Sequence, residues 1–315
     1  MKLIIQIPCY NEANTLPLTL KDLPSEVKGF SEVEELIIDD GSTDDTVSVA
    51  RANGVKHIVT LTKHQGLARA FMAGLEACIN LGADVIVNTD ADNQYKGEDI
   101  PKLVMPILEG KADMVVGARS INKIKHFSFI KKIMQKLGSS FVRFISNSNI
   151  MDAPCGFRAM SREAAMRLNV FNMYTYTLET IIQGGQKNMA ILSVPVGVNQ
   201  NLRPSRLVKN IPDYIIKSVI TVIRIFVVYR PFKFFMTVGL SVFTTGFFIG
   251  LRFLYFYLTF KGSGHIQSLI LASILLVIGF QTILFAFMAD LHATNRLILE
   301  DLQYRMRSME NKKVD

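Results

Sequence analysis

Two apolar runs near the end of the chain constrain its fold more than any other feature. Phe234 to Phe260 carries a single charge, Arg252, and Ile266 to Ala289 carries none. Each supplies the roughly 20 apolar residues that a bilayer-spanning helix needs. The 49% hydrophobic content of the 315 residues, high for a purely water-soluble protein, is concentrated there. As buried core helices the two runs would require more covering chain than remains. Two transmembrane helices joined by the short loop Lys261 to His265 is the simplest reading. Lys209, Lys217, Arg224, Arg230 and Lys233 lead into the first run, and Arg296, Arg305, Arg307, Lys312 and Lys313 follow the second. The loop between offers only Lys261, so both termini are expected on the cytoplasmic side. Met1-Lys2 runs directly into Leu3 to Ile7 without a cleavable small-residue site, which points the same way.

The preceding two thirds read as an α/β domain. Short branched runs at Leu3 to Ile7, Leu36 to Ile38, His57 to Leu61, Val85 to Val87, Met114 to Val116 and Ile191 to Val198 are bounded by Gly, Asp, Asn or Pro. Ala13 to Leu23, Asp45 to Ala52, Leu67 to Leu81 and Ile100 to Glu109 have helical length and pattern. Strands alternating with helices predict a mostly parallel, Rossmann-like sheet covered on both faces, with its ligand crevice beyond the carboxyl ends of the strands. The polar clusters fall at those ends: Pro8-Cys9-Tyr10-Asn11-Glu12, Asp39-Asp40-Gly41-Ser42-Thr43-Asp44, Asp90-Ala91-Asp92 and Gly117-Ala118-Arg119.

Ser128 to Asn147 is basic and helix-compatible, and fits the bilayer surface. In Asp213 to Tyr229, the residues Asp213, Lys217, Thr221 and Arg224 share one helical face, which describes an interfacial helix better than a span. Arg230-Pro231 breaks it from the first apolar run. The expected division is therefore 1–207 cytoplasmic domain, 208–231 interfacial segment, 232–289 two spans (about 234–258 and 266–289), and 290–315 an amphipathic helix and tail.

Asp90 and Asp92 stand two apart at a strand end. Hard divalent cations prefer carboxylate oxygen, and Mg²⁺ is commonly held by one or two carboxylates plus substrate phosphates. Alone, Asp-X-Asp is a weak signal, because such pairs also cap helices. One of Asp39 and Asp40 is free to meet a nucleobase or ribose, while Thr43 or Asp44 suits the following helix cap. His64 precedes a helix whose N-terminus suits a diphosphate; a loop hydrogen bond is its plainer role. No Gly-x-Gly-x-x-Gly or Walker-type sequence is present. The formal charge of +8 reads as adhesion to anionic lipid and phosphate; no zinc-finger, helix-turn-helix or aromatic-basic signature points to nucleic acid. Cys9, Cys78 and Cys155 lack metal-pair spacing and read as small buried residues.

Six motifs in order, the four strand-end clusters with Asn93-Gln94 extending the third, then Cys155-Gly156-Phe157-Arg158 and Pro195 with Arg203-Pro204-Ser205-Arg206-Leu207, resemble the family 2 glycosyltransferases. More narrowly they resemble the polyprenyl-phosphate glycosyltransferases, the group of dolichol-phosphate mannose synthase and bacterial membrane glucosyl transferases, over residues 3 to 207. The resemblance implies a GT-A fold, with Pro8, Tyr10, Glu12, Asp39, Asp40, His64, Asp90 and Asp92 about a nucleotide-sugar. It implies Asp92, assisted by Asp90, on Mg²⁺ or Mn²⁺, Gln94 near the sugar or metal, and Arg119 at a lipid phosphate. Lys131, Lys132 and Lys136 sit where the family places a second lipid-phosphate arginine. Arg203 or Arg206 gathers phosphates, although the family often has Gly-x-Ser-Lys there. A glutamate in the position of Glu179 is common in the family, with a sugar hydroxyl or a site residue as its implied partner.

The implied reaction is an inverting transfer from a UDP-hexose or GDP-mannose to polyprenyl phosphate, at a bacterial inner membrane, by Asp92, Gln94, Arg119 and Glu179. A phosphate monoester is already largely ionised at neutral pH, so a strong base is unnecessary. Membrane lipids are the expected surroundings, and the related bacterial enzymes make a homo-oligomer an open expectation. Two readings compete. A membrane scaffold or transporter partner leaves the converged acids unexplained; a polysaccharide synthase lacks its Gln-x-x-Arg-Trp element in a chain without Trp.

Overall fold

Continuous burial along Lys2–Cys9 (β1) and the inner half of Glu32–Asp39 (β2) marks strands covered on both faces, as a parallel sheet requires. The computed structural model describes residues 1–119, 138–140, 142–143, 146, 148–170, 176–199, 220, 223–259 and 266–311. Five further strands complete a sheet: His57–Thr60 (β3), Val85–Asn88 (β4), Met114–Arg119 (β5), Arg158–Ser161 (β6) and Ile191–Val196 (β7). Their order is β3-β2-β1-β4-β6-β5-β7, and only β6 runs antiparallel to its neighbours. This is the mostly parallel, Rossmann-like sheet that the alternation predicts, in the GT-A-like form that the resemblance implies.

Helices Leu16–Asp22 (α1), Thr46–Ala52 (α2), Leu67–Asn80 (α3), Ile100–Leu108 (α4), Arg162–Arg167 (α5) and Thr177–Gln186 (α6) accompany the strands. The buried stripe of α3, from Ala68 through Phe71 and Leu75 to Ile79, follows helical spacing and packs on β1 and β2. Two details differ from the sequence reading. Gly117-Ala118-Arg119 lies within β5, because β7 pairs with it as far as Arg119 opposite Val196. Strand β6 was not expected at all: four residues beginning with an arginine give no periodic signal.

The chain divides into two compact units, Met1–Ser218 with Asp301–Asp315, and Val219–Glu300. The second holds Pro231–Thr259 (α7) and most of Ile266–Asn311 (α8). At about 1.5 Å per residue, the 29 residues of α7 exceed a hydrocarbon core of about 30 Å. Their apolar windows, of mean hydropathy 1.8 and 2.5, are only 11% and 17% buried, which suits a lipid-facing anchor and not core helices. The two helices meet at glycines: a Cβ on Gly239 would stand 2.9 Å from Ile283, and one on Gly279 2.6 Å from the Phe243 nitrogen. The Arg252 guanidinium lies 5.5 Å from the Phe256 ring centre. The sequence reading ended the second apolar run at Ala289 and began a separate helix at Asp290. The structure has one unbroken helix to Asn311, since no Pro or Gly follows Gly279 to stop it.

Candidate functional site

Register places the polar strand ends side by side. Cys9 pairs with Asp39 and Asp39 with Thr60, while Gln6 pairs with Asn88. Strand β6 enters this edge in reverse, so its first residue, Arg158, lies opposite both Asn88 and Val116. The carboxyl ends of β1, β2, β4 and β5 therefore share one edge, with a reversal of strand order between β1 and β4, where open α/β sheets bind ligands.

Beyond β1, Asn11 takes φ +55°. Its backbone nitrogen donates to Ser42 Oγ at 2.9 Å, and its side-chain oxygen accepts from the Thr43 nitrogen at 2.8 Å. Glu12 is buried and accepts from Thr15 Oγ1 at 2.6 Å. Pro8 belongs to the buried part of β1. Asp44 accepts from the Thr46 nitrogen and hydroxyl and from the Ala13 nitrogen, so it, and not Thr43, secures the start of α2.

Asp39 and Asp40, alike in sequence, differ in their partners. Asp39 Oδ1 accepts from the Ser42 nitrogen at 3.2 Å. Both oxygens of Asp40 are engaged: Oδ1 by the Gln65 nitrogen at 2.7 Å, Oδ2 by the Gly66 nitrogen at 2.8 Å and by His64 Nδ1 at 2.8 Å. Asp40 thus closes the loop that begins α3. Gly41, at φ +70°, lets that loop lie against it, since a Cβ would come within 2.6 Å of the Lys63 carbonyl carbon. His64 is half exposed and stacks on Tyr10, ring centres 3.9 Å apart and 25° between planes. The pair presents a flat aromatic surface beside Asp39's end of the sheet.

After β4, Asp90 and Asp92 are half-buried. Asp92 Oδ1 accepts from the Gln94 nitrogen at 3.3 Å, and the Ala91 carbonyl accepts from Thr19 Oγ1 at 2.9 Å. Asn93 takes φ +51°. Asn199 holds this loop from the far side of the sequence: its nitrogen donates to the Gln94 carbonyl at 2.9 Å and its amide to Asn93 Oδ1 at 3.3 Å. The Asp90 carboxylate lies over Gly156, where a Cβ would sit 3.0 and 3.1 Å from its two oxygens. Among the described residues no group of three or more His, Cys, Asp or Glu gathers as a metal cage. Two adjacent half-buried carboxylates nevertheless fit a hard divalent cation that takes its remaining oxygens from a diphosphate.

At the end of β5, Arg119 donates Nε to Asp152 Oδ2 at 2.6 Å and Nη2 to Asp152 Oδ1 at 3.1 Å. The sequence points to Arg119 but does not mark Asp152 as its partner. Glu179 is buried on the first turn of α6. That turn is tied to the site edge by Arg158, whose Nη1 donates to the Thr177 carbonyl at 3.1 Å and to Thr180 Oγ1 at 2.6 Å. Tyr176 stacks on Phe71 of α3 at 3.9 Å and 4°, and its hydroxyl accepts from Asn88 Nδ2 at 2.7 Å. Burial pushes the Cys9 and Cys78 thiols up and Cys155 to about 11, so the cysteines serve as packing groups. Lys131, Lys132, Lys136, Arg203 and Arg206 lie outside the described residues, as do most of the basic segment 128–147 and the interfacial segment 208–231.

Residues 4–168, just over half of the chain, match the sequence profile of Glycosyl transferase family 2. An undecaprenyl-phosphate mannosyltransferase of Micrococcus luteus is 28% identical over 206 residues, 62% of this chain and 83% of the relative. A UDP-N-acetylglucosamine–dolichyl-phosphate N-acetylglucosaminyltransferase of Methanococcus voltae is 29% identical over 60% of this chain and 82% of its own length. Among solved structures, glucosyl-3-phosphoglycerate synthase of Mycobacterium tuberculosis with Mn²⁺, UDP and glucosyl-3-phosphoglycerate superposes with a TM-score of 0.57 over 72% of this chain and 78% of that one. At 20% identity that likeness establishes the fold alone.

Proposed function

The chain belongs to glycosyl transferase family 2, and we propose that it moves a sugar from a nucleotide-sugar to the phosphate of a polyprenyl lipid with inversion at the anomeric carbon. The observation that carries this reading is that Asp39, Asp90, Asp92 and Arg119 stand at or just beyond the carboxyl ends of β2, β4 and β5, along one edge of the sheet. Two helices of membrane-crossing length supply a reason for a lipid acceptor, and the names of the relatives point to the same class.

In this reading Asp39 meets the nucleoside, because Asp40 is consumed by the loop at Gln65, Gly66 and His64. The Tyr10–His64 stack bounds the nucleoside from one side. Asp90 and Asp92, with Gln94 beside them, would hold Mg²⁺ or Mn²⁺. When bound, the ion supplies positive charge where the departing diphosphate gathers negative charge. Arg119, its plane fixed by Asp152, orients the acceptor phosphate; Glu179 takes a sugar hydroxyl or a neighbouring site residue. Lys131, Lys132, Lys136, Arg203 and Arg206 complete the phosphate contacts.

A phosphate oxygen of the lipid forms the new bond to the anomeric carbon. The bond from that carbon to the diphosphate breaks, and its electron pair leaves on the nucleoside diphosphate. No proton has to be removed from an already ionised phosphate. The catalytic domain and both termini face the cytoplasm, and a bacterial inner membrane is the setting.

The test is transfer by detergent-solubilised protein from radiolabelled UDP-glucose, UDP-galactose, UDP-N-acetylglucosamine or GDP-mannose to polyprenyl phosphate with Mg²⁺ or Mn²⁺. Label in an acid-labile lipid, lost with Asp92→Ala, is the expected result and names the donor. No lipid-linked product from any donor would sink this donor and acceptor class.

A further inference from the structure

Arg158 is the largest fully buried side chain among the described residues, at 0% exposure. Among the described residues, every group that meets its guanidinium is neutral. Nη1 bonds the Thr177 carbonyl and Thr180 hydroxyl, Nη2 bonds the Cys155 carbonyl, and the Tyr176 ring centre lies 5.2 Å away. Nε has no partner among the described residues. A guanidinium keeps its charge in proteins, and a buried charge without an ion-pair partner is costly unless a more distant charge of opposite sign compensates it.

The structure contains that charge. Nη2 grips the carbonyl of Cys155, and the next residue, Gly156, is the one over which the Asp90 carboxylate lies. The point 3.0 Å from Asp90 Oδ1 that a Gly156 Cβ would fill is also 3.0 Å from the hydroxyl of Tyr176, the ring beneath the guanidinium. One peptide and one phenol, both buried, lie between Arg158 and Asp90, the first member of the acid pair. Charges so placed interact far more strongly than across water.

We propose that Arg158 is the fixed counter-charge of the Asp90–Asp92 pair, and that it makes the pair a weak cation site until the nucleoside diphosphate arrives, so that cation and diphosphate bind together. This rests on the donor site described above. The signs favour joint binding. A lone divalent cation is repelled by Arg158 and attracted by two carboxylates, whereas an anionic diphosphate is repelled by the carboxylates and attracted by Arg158. Arg158 acts here through the acid pair, as a positioning charge, without touching substrate.

The experiment is titration of Mn²⁺ into the solubilised full-length protein near pH 8, following free Mn²⁺ by electron paramagnetic resonance with and without UDP. Wild type should take up Mn²⁺ weakly alone and much more tightly with UDP. Arg158→Met should tighten the binding of Mn²⁺ alone by on the order of tenfold and shrink the UDP enhancement. Arg158→Lys, which keeps the charge but not the fork, should behave as wild type. Arg158→Gln, which retains donors for the Thr177 and Cys155 carbonyls, carries the same expectation as Arg158→Met if the latter does not fold. Unchanged or weaker binding of Mn²⁺ alone in the neutral variants, or an equal shift in Arg158→Lys, would overturn the role of Arg158. Wild type that takes up no Mn²⁺ even with UDP would instead overturn the metal-dependent donor site, a separate failure.

Discussion

Arg119 and Asp152 meet edge to edge through two side-chain hydrogen bonds, and the Arg119 backbone nitrogen also donates to Asp152 Oδ2 at 3.3 Å. Asp152 is almost wholly buried, with 1% of its side chain exposed, so it cannot exchange this partner for water. The carboxylate thereby fixes the plane of the guanidinium at the end of β5.

This pairing makes Arg119 irreplaceable by lysine. Arg119→Lys retains charge but cannot match both Asp152 oxygens. Its transferase kcat/KM for polyprenyl phosphate should fall about 100-fold, with a smaller change in the KM for donor. Asp152→Ala leaves a buried guanidinium unpaired and should lower stability by about 3–5 kcal/mol in chemical denaturation. Equal losses toward donor and acceptor in Arg119→Lys would place Arg119 away from the acceptor.

Asp39 and Asp40 give opposite expectations for one chemical change. Asp39→Asn keeps an oxygen for the Ser42 nitrogen, so folding is preserved while UDP affinity, read by calorimetry, falls about tenfold. Asp40→Asn has one acceptor oxygen for three donors, and its amide would face the N–H groups of Gln65 and Gly66. Thermal stability should drop by the equivalent of about 1–3 kcal/mol. Loss of stability in Asp39→Asn with none in Asp40→Asn would reverse the assignment.

Much of this was legible in the chain because parallel strands buried on both faces are short branched runs that end in turn residues. Leu36 to Ile38 and Val85 to Val87 announce themselves, and with them the positions of Asp39, Asp90 and Asp92. The reversed strand β6 was not legible, since Arg158-Ala-Met-Ser has neither the length nor the pattern of a strand. A charged residue reads as exposed, so nothing in the sequence marked Arg158 or Asp152 as buried. The different fates of Asp39 and Asp40 depend on the loop at Gln65 and Gly66, 25 and 26 residues beyond Asp40, a tertiary contact that local pattern does not encode.

The buried cysteines set an alkaline limit. Burial raises the Cys9, Cys78 and Cys155 thiols, the last to about 11. In the unfolded chain they ionise near about 8.5. The folded state then holds protons that the unfolded state releases, so stability is undiminished below that value and declines as pH rises toward 11. Urea midpoints should fall over this window, and a Cys155→Ser protein should fall less. Native protein near pH 8 should resist iodoacetamide at all three positions by mass spectrometry, while urea-unfolded protein labels fully.

The last turns of α8 belong to the same compact unit as the sheet and are bound to it through defined contacts. Arg307 Nη1 donates to the Met166 and Leu168 carbonyls at 3.1 and 3.2 Å, meeting carbonyls that the end of the short helix α5 leaves without helical partners. Tyr304 donates its hydroxyl to Glu163 Oε1 at 2.8 Å, and the Arg167 guanidinium stands 4.6 Å from its ring centre. Because one cation here answers two carbonyls, Arg307→Ala should cost about 1.5–3 kcal/mol, whereas Tyr304→Phe keeps the ring under Arg167 and should cost about 1 kcal/mol. Thermal melts of the solubilised protein followed by intrinsic tyrosine fluorescence measure both. A stop codon at Asp301 should destabilise at least as much as Arg307→Ala while leaving both apolar runs intact. A truncated protein that melts with wild type would show that these contacts do not stabilise the domain.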